Sequence, residues 1–144
     1  MQASTVTRPR LSTRNLAGRI ATGAFILHSG TGKWNADEAR ATQTHAFAAG
    51  AFPFLGKLPP QKFMKLLAGS EIALGAALLA PVVPGALAGA ALTAFSGSLL
   101  AMYLRTPALH EPRSFWPTPA GIAVSKDIWM LGIGMDLVLG ARRD

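Results

Sequence analysis

Four ionisable side chains stand within or beside long apolar stretches of this chain: His28, Glu71, Lys126 and Asp127. Tyr103 shares such a stretch. Charge placed among apolar residues is costly, so it has a partner or a task. A carboxyl stripped of water keeps its proton to higher pH, and an imidazole exchanges one near neutrality. Such a group can relay protons or hydrogen-bond a small polar headgroup. The plainer reading is a buried salt bridge, Glu71 with Lys126, that fixes helix register. Arg19 and Asp136 read as a second, structural ion pair, with Arg142 and Arg143 as alternative partners of Asp136.

Other chemistries find less footing. Gly30-Thr31-Gly32-Lys33-Trp34 has part of a phosphate loop, but Leu27 stands where its first Gly belongs. Trp34 also replaces the hydroxyl residue that would hold the metal. His45, His110 and Glu111 lack the spacing of a metal site, so no metal is expected. The chain has no Cys, which excludes disulfides, iron–sulfur ligation and thiol chemistry by the chain itself.

The elements that must position these groups follow from the apolar runs. Residues 72–104 contain no Asp, Glu, Lys, Arg or His. A membrane-spanning helix needs ~20 mostly apolar residues. Pro81-Val82-Val83-Pro84-Gly85 interrupts the run and predicts a tight hairpin between two helices. Spans are expected at about 15–33, 63–80, 85–104 and 120–140, giving an all-α fold, a four-helix transmembrane bundle. Residues 1–14 form a basic N-terminal tail, 15–140 the membrane domain and 141–144 a C-terminal tail. The first span is expected to remain uncleaved, since no A-x-A site follows it closely.

Between the first two spans, Asn35 or Asp37 is expected to cap a short helix through Ala48. Pro107, Pro112, Pro117 and Pro119 make 106–120 a loop. Gly85, Gly89, Thr93, Gly97 and Ala101 recur every four residues, a face on which another helix can pack closely. Gly69, Ala73, Ala77 and Ala80 give the preceding helix a similar face.

Depth along each helix suggests which polar groups meet. Glu71 lies roughly 12 Å in from Phe63, Lys126 and Asp127 roughly 10 Å in from Ala120, and His28 roughly 8 Å in from Lys33. In an up-down bundle these fall in one half, the outer one, together with Tyr103. Arg19 and Lys33 are expected to reach outward to opposite headgroup layers, with Trp34 at the interface.

Half of the residues are apolar, 15% are charged, and mean hydropathy is +0.31. Net charge is +7, but the cations sit in the tails and at the ends of apolar runs. That placement suits lipid headgroups and argues against nucleic acid. The basic termini are expected on the cytoplasmic side of the membrane.

From about Arg19 to Arg142 the order of features resembles the DoxX-like family of small bacterial membrane proteins. Arg19 opens the first span and His28-Ser29-Gly30-Thr31-Gly32-Lys33 ends it. Glu71 and Gly75 follow in the second, then a Gly- and Ala-rich third, then Lys126-Asp127 in the fourth. The resemblance implies a membrane subunit of a quinone-linked redox or oxidative-stress complex. Related DoxD-type proteins are subunits of thiosulfate:quinone oxidoreductase. No covalent cofactor is implied; a quinone would be the ligand, and electrons would come from a partner oxidoreductase, soluble or membrane-bound. Independent enzyme activity is not expected. The alternatives are a non-catalytic membrane scaffold and a small-solute carrier, which would have to work as a homo-oligomer.

Overall fold

The computed structural model describes residues 15–141. The basic tail 1–14 and the candidate partners Arg142 and Arg143 lie outside the described residues. Six helices follow in order: α1 (Leu16–Trp34), α2 (Glu38–Ala51), α3 (Pro60–Leu79), α4 (Gly85–Arg105), α5 (Ile122–Ser125) and α6 (Asp127–Gly140). Short 3-10 turns at Pro53–Lys57 and Pro107–Leu109 join α2 to α3 and follow α4.

Local chemistry sets these boundaries. The Asp37 carboxylate accepts a 2.8 Å bond from the Arg40 amide and caps α2. Pro60 opens α3 at a position whose N–H would have no helical partner. Pro81 and Pro84 keep α3 and α4 apart, and the Val83 amide closes the turn onto the Ala80 carbonyl at 3.2 Å.

The helices associate as two antiparallel pairs, α1 with α3 and α4 with α6. Glycines bring the paired backbones into contact. A Cβ on Gly75 would stand 2.6 Å from the Leu27 nitrogen, and one on Gly30 2.8 Å from the Glu71 Cβ. In the second pair a Cβ on Gly89 would stand 2.6 Å from the Leu137 Cβ. Ile26, Leu74, Leu78, Ala88, Leu92 and Leu137 form the core that joins the pairs. α2 packs across α3 and α4.

The expected four-helix transmembrane bundle is not supported. Among the described helices only α4, with 21 residues, is long and apolar enough to cross a membrane. The expected helix at 120–140 breaks at Lys126, leaving α6 with 14 residues. Those residues span ~21 Å against a hydrocarbon core of ~30 Å. α3 carries Lys62, Lys65 and Glu71, and α1 carries Arg19, Lys33 and several small polar residues, which lowers the hydropathy of both.

Large apolar side chains nevertheless remain outside, with Phe25 68% and Trp129 67% exposed. Meanwhile Glu71 is 5% exposed and Ser96 fully enclosed.

Candidate functional site

Gly30 admits α3 so closely that the Glu71 side chain begins against the α1 backbone. Gly23, Ile26, Gly30 and Lys33 share the face that α1 turns toward α3, at helical spacing. Side chains lean toward the N-terminus of their helix, so the Lys33 stem runs back along α1. Its ammonium donates to both Glu71 carboxylate oxygens at 3.0 Å and to Ser29 Oγ at 2.5 Å. Asp127, the first residue of α6, stands near enough to feel both charges. Burial pushes its carboxyl up to about 6; the Glu71 carboxylate adds to the rise and Lys33 opposes it.

One residue along α3 from Glu71, Ser70 lines a cavity of about 460 Å³ between α2, α3 and α4. Its walls are chiefly Phe47, Phe52, Phe63, Leu67, Phe95 and Met102, with Gln43 and Thr44 on the α2 side. The Ser70 and Ser98 hydroxyls are committed to the Leu66 and Ala94 carbonyls. Val124, just ahead of the α5–α6 break, also reaches this wall. The cavity and the charged cluster therefore share α3 and meet the two sides of the α5–α6 break.

Several contacts hold α2 over the cavity. His45 Nε2 donates to the Leu55 carbonyl at 2.8 Å, and its ring meets the Phe63 ring edge-on at 5.4 Å. His45 thus packs within α2 rather than standing free. Arg105 donates to the Ala51 carbonyl at 3.3 Å and lies over the Phe52 ring at 4.9 Å.

The residues singled out in the sequence divide. Glu71 and Asp127 come together, but the partner of Glu71 is Lys33 rather than Lys126. Lys126 is exposed at the α5–α6 break and lines a different groove, with Tyr103. Tyr103 is buried and donates to the Phe115 carbonyl at 2.7 Å. His28 is exposed on α1, away from the cluster. Lys33 does not reach outward to a headgroup layer, because the short Gly30 contact turns its face of α1 inward.

Arg19, expected to pair with Asp136, is held by main-chain carbonyls. Its guanidinium donates to the Leu78, Ala77 and Ala80 carbonyls at 2.8, 3.0 and 2.9 Å. It thereby supplies donors to the Ala77 and Leu78 carbonyls, which the end of α3 leaves open, and shares the Ala80 carbonyl with the Val83 amide. Asp136 lies on the exposed side of α6, in a crevice with Asn15 and Gly18.

Lys33, Ser29 and the aromatic cavity escaped the sequence reading. The spacing Gly23, Ile26, Gly30, Lys33 was the available signal for Lys33, since it continues a buried stripe. The cavity depends on how α2 folds back, which no local pattern specifies. Among the described residues, no group of three or more His, Cys, Asp or Glu is arranged to hold a metal ion. Comparison with known proteins finds no matching family model, no matching curated protein and no matching solved structure.

Proposed function

We propose that this chain is a membrane-bound subunit of a quinone-linked redox system and that it takes the quinone ring in the cavity walled by α2, α3 and α4. The observation that carries this reading is the cavity wall. Four phenylalanines and Met102 offer flat, polarisable apolar surface, and the polar groups are few. That is the lining a planar apolar ring prefers. The Gln43 amide and Thr44 hydroxyl are the donors placed to meet a ring carbonyl. The exposed Phe25 and Trp129 support lipid contact, since apolar surface of this kind is stabilised by leaving water. The order of motifs resembling the DoxX-like family supports the same class of function. Reduction of a quinone takes two electrons and two protons. The electrons would enter from a partner oxidoreductase, and this chain would bind and orient the ring. Asp127, beside the ion pair, can exchange a proton near neutrality.

A scaffold role has one observation in its favour. Both oxygens of Glu71 are satisfied by Lys33, so the cluster needs no ligand to be complete.

The test is mass spectrometry of small molecules retained by the protein in native-lipid particles. The wild type is expected to enrich quinone over bulk lipid, Leu67→Trp to lose it by filling the cavity, and Glu71→Gln to keep it. No enrichment in the wild type would leave the scaffold reading. Loss in Glu71→Gln with helicity intact would move the ligand to the charged cluster.

A further inference from the structure

A second groove lies on the opposite side of α4, with a volume of about 420 Å³. Leu100 and Leu104 of α4 form its floor, Phe115 and Trp116 one wall, and Ile128 and Trp129 the other. Phe115 and Trp116 are 79% and 77% exposed, yet the loop that carries them is firmly built. The Glu111 amide donates to the Trp116 carbonyl at 2.8 Å, and the Thr118 amide to the Leu109 carbonyl at 3.0 Å. The Tyr103 hydroxyl ties the Phe115 carbonyl to α4. Backbone bonds are thus spent on holding two large rings in the open.

Lys126 also lines this groove, at the break between α5 and α6. Among the described residues no ion pair or hydrogen bond engages its ammonium. No acidic side chain lines the groove. The groove therefore joins an apolar trough, two indoles and one unpaired cation. Indoles favour the boundary between acyl chains and headgroups, and a lysine there attracts anionic headgroups.

We propose that the groove between α4, the 115–117 loop and α6 binds an anionic phospholipid, with Lys126 on the headgroup phosphate and the acyl chain along Leu100, Leu104 and Trp129. The occupant is an amphiphile because the site has two chemistries side by side. It is anionic because the charge lining it is positive and uncompensated. The ligand is distinct from the quinone of the α2–α4 cavity, and the site stands whether or not that cavity is filled.

The test is native mass spectrometry of the full-length protein in neutral detergent, with phosphatidylglycerol or phosphatidylcholine added at equal concentration. The wild type is expected to retain phosphatidylglycerol about fivefold better, the size of one lysine's attraction to an anionic headgroup. Lys126→Gln is expected to abolish the preference and Lys126→Arg to keep it. Trp116→Ala is expected to weaken retention of both lipids. Lys126 is exposed, so the helicity of its variants should match the wild type. Equal retention of the two lipids by the wild type, no retention of either, or a preference unchanged in Lys126→Gln would each overturn the assignment. Quinone retention, read from the same samples, reports separately on the other site.

Discussion

The two helix pairs, α1 with α3 and α4 with α6, are built alike and finished differently. Each presses backbones together through glycines, at Gly23, Gly30 and Gly75 in the first pair and Gly89 and Gly134 in the second. In the first pair α1 then grips α3 at both ends. Arg19 holds the C-terminal carbonyls of α3, and Lys33 holds Glu71. At the Lys33 end, Lys65 of α3 also donates to the Trp34 carbonyl and lies over its ring at 4.5 Å. Between α4 and α6 the contact residues are small or apolar, and Thr93 returns its hydroxyl to Gly89 on its own helix. Small residues therefore set how closely helices approach, and charged ones set where along each other they stop. Among the described residues the buried ion pair, Lys33 with Glu71, lies in the pair that has both.

The difference can be broken most sharply at the ion pair. Lys33→Met leaves the Glu71 carboxylate enclosed and unpaired, which costs about 3 kcal/mol of unfolding free energy, measured by denaturant titration in detergent. Lys33→Met with Glu71→Leu should recover most of that loss, because an apolar pair of similar volume removes the unpaired charge. If the double variant is as unstable as the single one, the pair does more than satisfy itself.

The glycine contacts, in contrast, should be equivalent in the two pairs. Gly75→Val and Gly89→Val each push a side chain into backbone or Cβ atoms and should each cost about 2–3 kcal/mol. Gly97→Ala meets nothing within 4 Å and should be neutral or slightly stabilising by helix propensity. A large loss at Gly97 would show that another chain covers that face. Arg19→Leu leaves carbonyls at the end of α3 without donors and should cost about 1–2 kcal/mol.

A further effect is that of pH. The Asp127 carboxyl is raised from 3.8 to about 6 in the folded chain, so the folded state holds that proton more tightly than the unfolded one. Its contribution is full below 3.8 and is lost as pH rises through about 6. Asp127→Asn should therefore flatten this part of the stability–pH curve. A variant with an unchanged slope would assign the titration elsewhere.

What could be read from the sequence was local. The all-helical character, the Pro81–Gly85 turn and the Asp37 cap each rest on residues adjacent in the chain. The close α4–α6 contact at Gly89 and Thr93 was foreshadowed by the four-residue spacing of small side chains. The extent of the apolar helices was not readable in the same way. The uncharged run 72–104 belongs partly to α3, whose other half carries Lys62, Lys65 and Glu71, so the run does not translate into two equally apolar helices. Counting from Ala120 also assumed one straight last helix. The break at Lys126 has no Pro or Gly beside it to announce it, and it sends Lys126 and Asp127 to different sites. Likewise the partners of Arg19 are main-chain carbonyls, and a carbonyl leaves no mark in a sequence.

The Arg19 contacts bear on the order in which the chain assembles. They join groups 58 to 61 positions apart, whereas α3 and α4 are linked by a turn of a few residues. Closing a long loop costs more entropy than closing a short one, and long-range contacts form late. The α3–α4 hairpin should then fold first and offer the open carbonyls of α3 as a landing place for α1. In kinetic terms Arg19 acts after the rate-limiting barrier, so Arg19→Leu should speed unfolding and leave the refolding rate unchanged. Slower refolding of that variant would instead put α1 docking in the nucleus.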